Sequence, residues 1–220
     1  MKVFIVYWHA EPQSFNGALF QTAQETLTAI GHDVRTSDLY DMRFDPVSDR
    51  RNFTSVKDAT YFNQQMEELH ASAVGGFAAD VEAEMQKLEW GELMLWQFPL
   101  WWFGLPAVFK GWVDRVFAMG RTYSGDRRFE TGVFRGKQAM LSVTTGGPVE
   151  VYRRGVYGEI MDVLRPMHRV LWFAGFDVLA PHVVYGPGLQ IGDRRQEVLE
   201  AYRQRLQRLH VEHPIEMGES

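Results

Sequence analysis

The sequence predicts a doubly wound α/β fold, with helices on both faces of a five-stranded parallel sheet. Three observations predict it. Five short apolar or β-branched runs alternate with segments of helical period, which is the order of repeated βα units. The central runs lack the strict in-out alternation of half-exposed strands, as expected for strands covered on both faces. Polar, aromatic or glycine-rich loops follow several of the runs at their carboxyl ends, where open parallel sheets bind ligands.

The first strand is residues 2–8, ending at His9. Ser14, Phe15 and Asn16 precede a helical pattern of Ala18, Leu19, Phe20, Ala23, Leu27 and Ile30, closed by Gly31. Ser14 or Asn16 is therefore an expected N-cap. Strand, polar loop and helix amino terminus together form an anion site, although a capped helix holding nothing accounts equally well for this segment alone. Residues 33–39 are a strand of mixed polarity, expected at an edge. Residues 40–90 form an embellished crossover within one domain spanning 1–220: a polar connection, then helical patterns over 59–73 and 78–88 separated by Gly75-Gly76. Residues 93–96 are a buried strand that runs into Gln97-Phe98-Pro99-Leu100-Trp101-Trp102-Phe103-Gly104-Leu105-Pro106. Pro106 is expected at the first helical position, followed by Val108, Phe109, Trp112, Val113, Val116 and Phe117 on one face. Three consecutive aromatics between two prolines cannot all point inward, so they are expected to wall a planar ligand. Residues 120–136 are expected as a surface loop. Residues 138–144 form a strand entering Thr145-Gly146-Gly147-Pro148, where two glycines let backbone N–H groups approach a ligand closely. A helix over 159–174, a last strand over 176–185 containing Pro181, and a closing helix over 196–209 complete the chain. Five strands in this order fit a flavodoxin-like arrangement.

Composition bounds the function. With 220 residues, 45% hydrophobic and 23% charged, the chain suits a globular domain, not a disordered one. It has no cysteine, which removes disulfides, thiolate nucleophiles and cysteine-ligated metals. The net charge of −5 argues against nucleic acid, and the pairs Arg127-Arg128, Arg153-Arg154 and Arg194-Arg195 are expected on a solvated surface. The apolar start of the chain is too short for a signal sequence, and the longest apolar run too short for a membrane span, so a cytoplasmic protein without membrane insertion is expected. There is no Gly-x-Gly-x-x-Gly and no Walker sequence. His210 and His213 lack a third ligand, so no metal site is expected. His168 and His182 are expected to be structural.

In a doubly wound sheet the first, third and fourth strands lie side by side. The loops at 9–18, 99–103 and 144–147 then converge on one cleft with an anion end and an aromatic end, and a flavin needs both. Negative charge develops at the pyrimidine edge of a flavin that accepts hydride, and N–H donors such as those of Gly146 and Gly147 suit that edge.

These motifs also carry a resemblance. His9-x-x-x-x-Ser14-Phe15-Asn16-x-Ala18, the block from Phe98 to Pro106 with Lys110-Gly-Trp112 and Arg115-Val-Phe117, and Thr144-Thr-Gly-Gly147 occur in order across most of the chain. The sequence resembles the NAD(P)H:quinone oxidoreductase family of the DT-diaphorase type. The resemblance implies a flavodoxin-like homodimer with tightly bound FAD, FMN being the lesser expectation, and active sites at the subunit interface. NAD(P)H would reduce the flavin and leave, and a small aromatic quinone would then take the hydride in the same pocket. It further implies that His9, Ser14, Phe15, Asn16 and Ala18 contact the pyrophosphate and ribityl region. Pro99, Leu100, Trp101, Trp102 and Phe103 would flank the ring, and Thr144, Thr145, Gly146 and Gly147 would meet its pyrimidine edge. Trp102, Gly146, Gly147 and Tyr123 would line the substrate site, with Tyr123 reaching the partner subunit's pocket. Arg195 aligns with an arginine near the cofactor.

The chain departs from the family pattern at two places. A second tyrosine expected after Tyr123 is Gly125, which opens the pocket. Tyr152 matches the family's catalytic tyrosine beside the flavin, but the histidine that completes the relay has no counterpart. The connecting loop is one residue shorter and Tyr157 takes the place. A phenol with a pKa near about 10 donates a hydrogen bond but does not carry the positive charge that a histidine, near about 6.5, does. The resemblance leaves two alternatives: a regulatory subunit of a potassium-efflux system, and a one-electron carrier of flavodoxin type.

Overall fold

A computed structural model describes residues 1–153, 156–189 and 193–217. Parallel strands β1 (Lys2–Tyr7), β2 (Asp33–Asp38), β3 (Leu93–Pro99), β4 (Gln138–Thr145) and β5 (Asp177–Val178) lie in the order β2-β1-β3-β4-β5, and β6 (His182–Tyr185) also pairs with β4. β2 is at the edge, as its mixed polarity predicts. β3 is buried throughout, and so is β4 from its second residue on.

The expected single last strand is two. The register shifts from Ala139↔Val178 to Ser142↔His182, so three residues of β4 are spanned by four of the partner. Pro181 falls in that extra length. It has no N–H for the ladder, so the strand breaks there and resumes at His182.

Helices α1 (Phe15–Ala29), α2 (Gln64–Val74), α3 (Ala79–Trp90), α4 (Ala107–Val116), α5 (Val149–Arg153), α6 (Ile160–Phe173) and α7 (Arg194–Leu206) connect the strands. One face of the sheet packs Val3, Ile5, Leu93, Leu95 and Met140 against Leu19 and Leu27 of α1 and Tyr202 and Leu206 of α7. The other packs Phe4, Trp96, Phe98, Leu141 and Val143 against Phe109 and Trp112 of α4 and Leu164 and Leu171 of α6. Both faces of each central strand are thus covered, which is why those strands show no alternation.

Several boundaries differ from the sequence reading. α2 begins at Gln64, where the Asn63 side chain accepts from Met66 N–H, and not at residue 59. Pro106 is the N-cap of α4, its carbonyl accepting from Lys110 N–H at 2.9 Å. The segment 120–136 is not wholly a surface loop, since Thr122 and Phe134 are buried. α5 has only five residues and little periodicity to announce it. Arg154, of the expected surface pair Arg153-Arg154, lies outside the described residues.

Candidate active site

The amino end of α1 is built as its sequence predicts. Ser14 is extended (φ −63°, ψ 167°) and its Oγ accepts from Gly17 N–H at 3.1 Å. Gly17 is required at this turn, because a Cβ there would fall on the Pro12 carbonyl oxygen. The remaining first-turn N–H groups face the loop that follows β1, a favourable place for an anion. His9 closes this loop, its Nδ1 accepting from Glu11 N–H at 2.9 Å.

The aromatic loop after β3 is a two-residue reversal. Trp101 N–H donates to Gly104 O at 3.1 Å and Gly104 N–H donates back to Trp101 O at 2.9 Å. Trp102 and Phe103 fill the turn in the left-handed region, at φ 49° and 60°. Such turns favour Asn and Gly, and bulky side chains there are strained. The three rings stand exposed or half-exposed: Trp101 is 48% exposed, Trp102 97% and Phe103 49%. None of the three is core, and Trp101 instead packs edge-on against Trp8, 4.9 Å between centroids. Leu100 N–H donates to Thr144 O at 2.8 Å and so ties this loop to the end of β4.

Strand order then gathers the pieces. A cavity of about 420 Å³ is lined by His9, Ser14, Phe15 and Asn16 from the first loop, Pro99, Leu100 and Trp101 from the second, Thr144, Thr145 and Gly146 from the third, and Arg195 at the start of α7. The guanidinium of Arg195 lies over the Phe15 ring at 5.0 Å, at the α1 end. Gln13, Pro187 and Gly188 also line it and were not foreseen. The Pro187-Gly188 pair follows the last strand, so a fourth carboxyl-end loop was the missed signal.

Beside the cavity, Gly147 is flanked by two tyrosines. A Cβ at Gly147 would stand 3.3 Å from Tyr157 Cε2 and 3.7 Å from Tyr152 Cε2. Tyr152 is buried, which pushes its phenol up from the ordinary value, whereas Tyr157 is 43% exposed and meets Phe103 edge-on at 5.6 Å. Ala18, Trp102, Phe103, Gly147 and Tyr152 do not line the cavity itself. Tyr123 lies on a different, larger groove with Phe129, Trp172 and Phe173, its Oη accepting from Gln65 Nε2 at 3.1 Å. That groove takes in the start of α2 at Gln64 and Gln65 and the charged Glu68, Asp114 and Arg169, but none of the strand-end loops that converge on the smaller cavity.

The cavity therefore offers N–H groups and a cation at one end, aromatic and apolar walls beside them, and hydroxyl and backbone donors at the other. This donor set fits a flavin with its phosphate toward α1. His168 and His182 stand apart, each with an unpartnered Nε2, and burial pushes both down to about 4. α7 has ended before His210 and His213 are reached, and no described group of His, Asp or Glu is arranged to hold a metal. No described helix is long and apolar enough to cross a membrane.

Residues 1–209 match a family model described as a flavodoxin-like fold. The chain is 39% identical over 217 residues to human ribosyldihydronicotinamide dehydrogenase [quinone], covering 97% of this chain and 94% of that protein. It is 40% identical to rat NAD(P)H dehydrogenase [quinone] 1, covering 97% and 79%. The crystal structure of a Klebsiella pneumoniae protein with a provisional quinone reductase name superposes with a TM-score of 0.91 at 38% identity, over 98% of this chain and 87% of that one. The chain belongs to the flavodoxin-like fold family and, within it, to the quinone dehydrogenases.

Proposed function

We propose that this protein is a flavin-dependent NAD(P)H:quinone oxidoreductase that holds FAD in the cavity between α1, β3 and β4 and works by a two-stage ping-pong cycle. The observation that carries the reading is the convergence of His9, Ser14, Asn16, Pro99, Trp101, Thr144, Thr145 and Gly146 on one cavity with Arg195 beside Phe15. A flavin there supplies the chemistry by accepting hydride from a dihydronicotinamide and releasing it to an acceptor.

The chain's own residues bind and orient. The first-turn N–H groups of α1 and Arg195 take the phosphates. Trp101, Leu100 and Pro99 flank the ring system, while Trp102 and Phe103 project into the space where planar substrates stack. Thr144, Thr145 and the N–H groups of Gly146 and Gly147 oppose developing negative charge with donors already in place. Tyr152, kept protonated by its burial, holds a proton near this edge, and Tyr157, which the resemblance sets in the place of the family's histidine, meets it edge-on from the rim. Tyr123 lies on a groove apart from its own chain's cavity, which suits a homodimer in which it enters the partner's pocket. An open, aromatic-walled pocket selects planar acceptors, so quinones and also nitro- and azo-aromatics are accepted. The protein works in the cytoplasm.

The test is the purified protein itself. It should be yellow, release a cofactor with the mass of FAD, run as a dimer, and oxidise NADH or NADPH with a quinone while yielding the two-electron product. The names of the relatives point to two kinds of hydride donor, so dihydronicotinamide riboside belongs in the same assay. A colourless protein that takes up neither FAD nor FMN defeats the reading. One-electron exchange with a protein partner would mark a carrier, and co-purification with a membrane transporter a regulatory subunit.

A further inference from the structure

Three side chains from three separate elements form one hydrogen-bonded chain at the cavity. Gln97 of β3 is 1% exposed, and its Nε2 donates to Asn16 Oδ1 at 2.7 Å. Asn16 Nδ2 donates in turn to Thr144 Oγ1 at 2.6 Å. Asn16 and Thr144 line the cavity, and Gln97 stands behind them without reaching it. The Thr144 oxygen already receives a hydrogen from Asn16, so its hydroxyl has a hydrogen to give, and no described residue accepts it.

We propose that Gln97 is a positioning residue of the cofactor site: by holding the Asn16 amide with its oxygen toward β3 and its nitrogen toward β4, it reserves the Thr144 hydroxyl as a donor to the bound flavin. The inference rests on the flavin reading above. An amide has a donor end and an acceptor end of nearly the same shape, so only its neighbours decide which way it faces. Once Gln97 no longer donates, the Asn16 amide is free to turn over. Its oxygen then takes the Thr144 hydrogen, and the cavity meets an acceptor where it had a donor. Gln97 acts at a distance, through two other side chains, and sits within a strand otherwise apolar from Leu93 to Trp96. Its Oε1 is buried without a partner, so the bond from Nε2 to Asn16 is what offsets the cost of burying the amide there.

The experiment measures FAD affinity of the full chain, stripped of flavin, by fluorescence quenching. Gln97→Met and Thr144→Val should each weaken binding about tenfold, the effect of one well-made hydrogen bond to a ligand. The double variant should bind within about twofold of Thr144→Val, because the donor that Gln97 secures is already gone. In a Thr144→Ser background, which keeps the hydroxyl, the loss from Gln97→Met should persist. Losses that multiply in the double variant, or wild-type affinity in Gln97→Met, overturn the proposal.

Gln97→Glu gives an independent readout should Gln97→Met fail to fold. The neutral carboxyl donates to Asn16 Oδ1 as the amide does, whereas the carboxylate accepts from Asn16 Nδ2 and turns it over. Affinity relative to wild type should fall as pH rises through the pKa of the introduced group, and a ratio flat with pH counts against the chain. A wild-type protein that binds no flavin overturns the proposed function itself, while normal flavin binding with independent losses overturns only the role of Gln97.

Discussion

The rings of Tyr152 and Tyr157 meet edge-on beside Gly147, their centroids 5.6 Å apart and inclined at 71°. Tyr152 is inside and Tyr157 is at the rim. Under the proposed function the inner phenol would hold the proton nearest the cavity's donor edge, and the outer one would act through it. Tyr152→Phe is expected to slow reduction of the bound flavin by about tenfold to a hundredfold, and Tyr157→Phe by less. Stopped-flow measurement of flavin bleaching by NADH or NADPH separates the two. An unchanged rate in Tyr157→Phe removes that residue from the relay.

Trp102 is almost fully exposed on a backbone that tryptophan disfavours. Glycine adopts the same φ without a Cβ clash, at a smaller cost than the roughly 1–2 kcal/mol of left-handed backbone. Trp102→Gly is expected to leave the flavin-free protein as stable or slightly more so in urea, while kcat/KM for a quinone falls about tenfold or more as the stacking wall is lost. A destabilised variant with normal kcat/KM would show that the indole serves the fold instead.

Arg195 has no carboxylate partner among the described residues, whereas its neighbour Arg194 pairs with Glu197 at 3.0 Å. A cation held over Phe15 at the cavity's anion end is suited to a phosphate. Arg195→Ala should weaken FAD binding by roughly tenfold and flatten its dependence on salt, and Arg194→Ala should do neither. Equal effects of the two substitutions would assign both to general surface charge.

His168 is buried in α6 with its Nε2 unpartnered, and that burial pushes its imidazole down to about 4. The unfolded chain binds the proton near pH 6.5 and the folded one near 4, so between these values the unfolded state holds more protons. Stability therefore falls as pH drops through this window, by up to about 3 kcal/mol from this group. His168→Leu should be at least as stable at pH 7 and should lose less between pH 7 and pH 5 in urea unfolding. An identical loss in variant and wild type would place the acid sensitivity in the carboxylates.

Local chemistry made much of this protein legible from its residues in order. Apolar runs bounded by Gly and Pro located the central strands. Ser14 ahead of a periodic segment located a capped helix, and two prolines around Trp101, Trp102 and Phe103 marked a loop whose rings could not all face inward. The strand-end loops followed because parallel βα units leave them on one side of the sheet. Gln97 was not legible, since a glutamine in an apolar strand looks like an interruption until Asn16, 81 residues away, is seen to accept from it. Nor was the break at Pro181, which depends on pairing with β4, or the place of Tyr123 on a groove apart from the cavity.

What the sequence by itself determined is the central strands, the capped helix and the chemistry of three loops, because these depend on neighbours within a few residues. Only the tertiary structure decided which side chains share a cavity, which way the Asn16 amide faces and which tyrosine is the inner one. Those depend on contacts between elements far apart in the chain, and on burial that no short stretch of residues encodes.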